Sequence, residues 1–153
     1  MAKTLATLVV AFSIVVAANA EDTKAKAAFD PAKIVGVFQI TEGTRQGDKI
    51  DKEKLKAKIT VTKNTFTVPT EDPNQKFLIE YKIDTKPTPA AIDMEIKDGP
   101  VKDIKAIGIV AADGDGFKLC YAVQEGPDTK RPTKFESTKE NNAFLFVLKP
   151  EKK

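Results

Sequence analysis

"KAIGIVAADGDGFKLCYAV", residues 105–123, decides how this chain is read. Its centre, Asp113-Gly114-Asp115-Gly116, is turn chemistry, because Asp-Gly tolerates the positive φ that tight hairpins require. After the turn, Phe117, Leu119, Tyr121 and Val123 alternate with Lys118, Cys120 and Ala122. That period of two marks a strand with one dry face. Before the turn, residues 105–113 are apolar on both faces, as in a strand that is covered or central. The segment therefore predicts two long antiparallel strands joined by a hairpin.

The same alternation recurs outward in both directions. Upstream, Ile34, Gly36, Phe38 and Ile40 share one face, and Ala57, Ile59 and Val61 alternate with Lys58, Thr60 and Thr62. A turn at Lys63-Asn64 leads to Phe66 and Val68. Phe77, Ile79, Tyr81 and Ile83 follow in phase, and then Ile92, Met94 and Ile96 against Asp93, Glu95 and Lys97. Downstream, "PTKFES" (132–137) and "NAFLFVLKP" (142–150) are read as strands, the latter with Phe144, Phe146 and Leu148 inward. One short helix is expected near "DKEKLKAK" (51–58). Eight or nine short strands in sequential hairpins predict an all-β domain, either a closed meander barrel or a sandwich. Closure removes both sheet edges, so the barrel of about eight strands is preferred.

The amino terminus, "MAKTLATLVVAFSIVVAANA" (1–20), combines Lys3, an uncharged apolar run and small residues at 18 and 20. This is the pattern of a cleaved signal peptide, and its apolar run is too short for a membrane anchor. The expected organisation is a signal peptide over 1–20, a flexible lead-in over 21–32 and one barrel domain over 33–150. Export to the periplasm or beyond follows, with no transmembrane segment in the mature chain.

Composition narrows the function. Cleavage would remove only Lys3 from the charge balance, lowering the net charge from +3 to +2. Arg45 and Arg131 are the only arginines, and a near-balanced charge with so little arginine argues against nucleic-acid binding. The chain has no histidine, so it lacks the usual neutral-pH base and the commonest transition-metal ligand. No cofactor and no metal site are expected.

Several stretches carry a resemblance: "VGVFQITEG" (35–43), "KITVTKNTFTV" (58–68), "YKIDTKPTPAAIDMEI" (81–96), "GIVAADGDGFKLCYA" (108–122) and "RPTKFES" (131–137). In this order they resemble a lipocalin-like domain family of unknown function, abundant in exported planctomycete proteins. The resemblance covers most of the chain after residue 20. It implies a barrel and export, and it supplies no catalytic residues. Lipocalin-like barrels begin with Gly-x-Trp on the first strand, whereas Gly36, Val37 and Phe38 stand here. In those barrels a late arginine packs against the tryptophan. If residues 131–137 are extended, Arg131 shares a face with Phe135, and the expectation is that Arg131 caps Phe38 from inside, worth about 0.5–2 kcal/mol.

Three candidate sites are weighed against plainer readings. Cys120, the single cysteine, has the opposite parity from its inward neighbours and no histidine to activate it, so it is read as a small wall residue under an outer loop. Asp113 and Asp115 lack the closing glutamate of a calcium loop, and a hairpin accounts for both. Asp93 and Glu95 point together, but away from Ile92, Met94 and Ile96, which places them in water rather than in a catalytic cleft. The strongest lead is the barrel interior. Phe38, Phe66, Phe77, Tyr81, Met94, Phe117, Tyr121 and Phe144 are expected to line it together with Phe146, and Arg131 is the one cation assigned inward by parity. Small barrels either fill this space or hold one small ligand. The reading is a non-catalytic binding module, not an enzyme, whose partner is a small apolar or amphipathic ligand. The alternative is a structural or interaction component of the cell envelope with a filled barrel.

Overall fold

Alternating β-branched and aromatic residues with Asp-Gly and Pro-rich turns leave the backbone few options besides sequential hairpins. The computed structural model describes residues 28–152. The expected signal peptide and residues 21–27 of the lead-in lie outside the described residues. Nine strands follow in order: β1 (Gly36–Arg45), β2 (Asp48–Lys49), β3 (Lys58–Val61), β4 (Thr65–Pro69), β5 (Lys76–Asp84), β6 (Ala90–Asp98), β7 (Lys105–Asp113), β8 (Gly116–Val123) and β9 (Phe144–Pro150).

All pairings are antiparallel, and β1 pairs with both β3 and β9. The sheet therefore closes on itself. The molecule is an eight-stranded, lipocalin-like meander barrel, with β2 as an extra short strand paired to the end of β1. Closure rather than a sandwich is decided by the long β1–β9 ladder, from Phe38↔Pro150 to Arg45↔Phe144. The central hairpin forms as the sequence predicts, with Asp113 opposite Gly116 and Gly114 at φ +61°.

The lower end of the barrel is sealed. A one-turn 3₁₀ helix, Pro31–Ile34, begins at Asp30, whose carboxylate accepts from the Ala32 N–H at 3.0 Å. It places Ile34 in the core, where Phe29 also packs. The chain is thus part of the fold from Phe29 onward, earlier than the expected lead-in boundary at residue 32. Phe38 meets Phe117 edge-on at 5.0 Å, and Val61, Ile92 and Val110 complete a layer with almost no exposed surface. Phe66 stacks on Tyr81 at 4.5 Å, and the Tyr81 hydroxyl donates to the Thr62 carbonyl at 2.6 Å.

Two expected elements change. Residues 132–137 are not a strand. Both edges of β8 are already occupied, by β7 and β9, so no ladder remains for a further strand to join. The long segment between β8 and β9 instead lies over the outer wall, where Phe135 and Ala143 pack on Ile109 and Cys120. This explains why β7 reads as apolar on both faces. The expected helix shortens to a single turn, Lys52–Leu55, with Leu55 buried near Gly43. Among the described residues, no helix is long and apolar enough to cross a membrane.

Candidate functional site

The upper half of the barrel is hollow. A cavity of about 330 Å³ lies between the inner faces of β3 to β9 and the middle of β1. That volume lies near the lower end of the range for small-molecule sites, roughly 300–1,000 Å³. Phe66, Phe77, Met94 and Tyr121 line it, as the alternation predicts, and so does Phe146. The aliphatic residues at the same inward positions, among them Ile40, Ile59, Ile79, Ile96 and Leu119, make up most of the remaining wall. Attention to aromatic residues alone passes over them, although their signal is the same period of two. Ile104 is a different case. It belongs to the β6–β7 loop, is substantially exposed, and reaches the cavity because Ile96 N–H donates to its carbonyl at 2.9 Å.

The other expected interior residues divide by height. Phe38, Phe117 and Tyr81 belong to the packed lower layer and do not line the cavity. Phe144 sits above it, stacked on Tyr121 at 5.2 Å.

Arg131 does not reach the interior. Its guanidinium donates to the carbonyls of Ile92 and Gly108, each at 2.8 Å, and to the Asp93 carboxylate at 2.6 Å. Asp93 is exposed on the outer wall, so Arg131 clamps β6 and β7 from outside, and Phe38 has Phe117 as its aromatic partner instead. Alternation carries Arg131 inward only if residues 131–137 are extended as a strand, and they are not.

The arginine at the mouth is Arg45. A bulge in β1 is responsible: Ile40 pairs with Leu148, but Glu42 pairs with Val147, so Thr41 is an extra residue. One inserted residue reverses the facing of all that follow. Gly43 then stands opposite Phe146 on the inner side, and Arg45 opposite Phe144. The Arg45 guanidinium carbon lies 5.1 Å from the centre of the Phe144 ring. Gly43 is closely packed there, with an added Cβ 3.0 Å from side-chain atoms of both Leu55 and Phe146.

Tyr121 brings a hydroxyl to the cavity wall. It pairs across the sheet with Gly108, where an added Cβ would approach the Cys120 carbonyl oxygen to 2.3 Å and the Tyr121 Cβ to 2.7 Å. Burial pushes its hydroxyl up to about 12, with the nearby Arg45 charge opposing. It therefore remains a protonated donor at neutral pH. No hydrogen bond joins this hydroxyl to another described residue, unlike that of Tyr81.

The remaining candidates take structural places. Cys120 is fully buried on the outer wall, its Sγ 3.4 Å from the Glu136 carbonyl, and burial raises its thiol to about 11. It is a wall residue beneath the outer loop. The Asp113 carboxylate accepts from Lys149 Nζ at 2.8 Å, and the Asp113 carbonyl accepts from the same group at 2.6 Å. Glu95 borders the cavity, but its carboxylate lies 2.8 Å from Lys97 Nζ, which holds it below the usual carboxylate range. Asp93 and Glu95 have separate cationic partners and share no cleft.

The class these features define is a lipocalin-like barrel, packed below and hollow above, with an apolar chamber. Compared with family models, curated proteins and solved structures, the chain matches none.

Proposed function

We propose that this chain is an exported, non-catalytic binding module that takes a small apolar or amphipathic ligand into the upper half of its barrel. It resembles the lipocalin-like family of exported planctomycete proteins in the stretches that build this barrel. The observation that carries the reading is the cavity of about 330 Å³, walled by Phe66, Phe77, Met94, Phe146 and aliphatic side chains. Apolar hollows of this kind favour apolar guests, because an interior normally packs without voids. The hollow supports the binding module over a filled structural barrel.

The test is native mass spectrometry of the protein purified from its source, compared with its denatured mass. The expected result is an extra small mass lost on denaturation, and a polypeptide beginning at Glu21. A replacement that fills the chamber, Ala106→Trp, is expected to abolish the extra mass while the barrel still folds. A bare polypeptide mass, together with no uptake of a neutral fluorophore such as N-phenylnaphthylamine, overturns the binding reading. An intact amino terminus overturns export by cleavage.

A further inference from the structure

The chamber is apolar along its walls and cationic at its rim, which is the polarity of an amphiphile turned inside out. Arg45, Phe144 and Tyr121 occupy one corner of the mouth, linked by ring contacts of 5.1 Å and 5.2 Å. At this end Lys97 is matched with Glu95 at 2.8 Å and Lys102 with Asp98 at 3.0 Å, whereas Lys76 and Lys105, at the starts of β5 and β7, form no ion pair with a described residue but have no aromatic ring of the mouth beneath them. The ion pairs among the described residues do not include Arg45, although Asp48 is its register partner across the β1–β2 turn.

We infer that Arg45 and Tyr121 form a headgroup site for a single-chain fatty carboxylate whose tail occupies the chamber. This inference rests on the binding reading above and specifies its ligand class. A guanidinium presents a planar fork that matches a carboxylate with two parallel N–H···O bonds. The Phe144 ring beneath Arg45 fixes the fork without consuming its donors. The protonated Tyr121 hydroxyl supplies one further donor from the cavity wall. One cation balances one negative charge, and a chamber of about 330 Å³ suits one aliphatic chain rather than two.

The experiment is displacement of N-phenylnaphthylamine from the purified protein by dodecanoate and by dodecanol. Partition alone favours the alcohol, so stronger displacement by dodecanoate reports recognition of the head. Arg45→Gln is expected to weaken dodecanoate about tenfold or more, the range of a charge-assisted hydrogen bond, and to leave dodecanol unchanged. Arg45→Lys should recover part of the loss, and Tyr121→Phe should weaken dodecanoate a few-fold. Unchanged dodecanol binding also shows that each variant is folded. If dodecanol equals or exceeds dodecanoate, or if Arg45→Gln affects both alike, the headgroup site is wrong while the binding module stands. If the fluorophore itself does not bind, the binding module falls and this inference with it.

Discussion

The two halves of this barrel are built from the same strands by the same alternation, yet one is solid and the other hollow. At the lower end, Phe117, Val110 and Ile92 are essentially without exposed surface, and Ile34 enters from a one-turn helix that seals the opening. At the upper end, Phe77, Ile79, Ile96 and Phe146 face inward just as regularly but remain only partly buried. The difference lies in what closes each end. A plug below brings the inward side chains into a continuous layer. Above, the described loops leave the corresponding space open. Hydrophobic alternation therefore establishes which side chains point inward, and end closure establishes whether they meet.

The largest expected effect comes from deleting one ring in each half. Phe117→Ala removes a fully buried ring in contact with Phe38 and should cost about 3–5 kcal/mol. Phe77→Ala only enlarges an existing hollow and should cost well under half of that. Urea denaturation of both variants checks this, and equal losses would erase the distinction between the halves.

Gly108 lies directly across the ladder from Tyr121. Gly108→Ala forces a Cβ against backbone, and overpacking of this kind should cost about 1–3 kcal/mol in thermal unfolding. It should also shift Tyr121 and lower fluorophore affinity, which the Phe117→Ala change in the lower half should not do.

Arg131→Gln tests whether the wall is also held from outside. The loss of its bonds to two strand carbonyls should cost about 1–2 kcal/mol, whereas Asp93→Asn, altering only the exposed partner, should cost under about 0.5 kcal/mol. Ligand binding should be indifferent to both. A loss of binding in Arg131→Gln would return this arginine to the interior.

The narrowest effect, confined to one pH range, concerns alkaline pH. Cys120 titrates at about 11 in the folded wall against 9.0 ordinarily, because burial penalises the thiolate. Between these values the unfolded chain has released a proton that the folded chain still holds. The contribution of this thiol to stability is therefore fully present below about 9 and is lost as pH rises toward about 11. Cys120→Ala should flatten that part of the decline in a pH series of denaturation midpoints. The raised Tyr121 hydroxyl leaves a later decline in place.

Much of this was legible in the residues. The strand positions, the Asp113–Gly116 hairpin, the inward phase of Phe66, Phe77, Met94 and Tyr121, and the outward place of Cys120 all follow from period-two alternation and turn chemistry, which are local rules. The two arginines show where such rules stop. Arg131 faces inward only if residues 131–137 form a strand, and no edge of β8 is free to accept one. Arg45 comes to the inner face through the single extra residue Thr41, and nothing in "QITEGTR" (39–45) announces a bulge. The sequence by itself determined an alternating all-β chain with an apolar interior. Tertiary structure alone decided the closure of β1 on β9, the reversal of facing after Ile40, and the chamber. Register, edge occupancy and end sealing depend on segments far apart in the chain, and local periodicity carries no information about which of them meet.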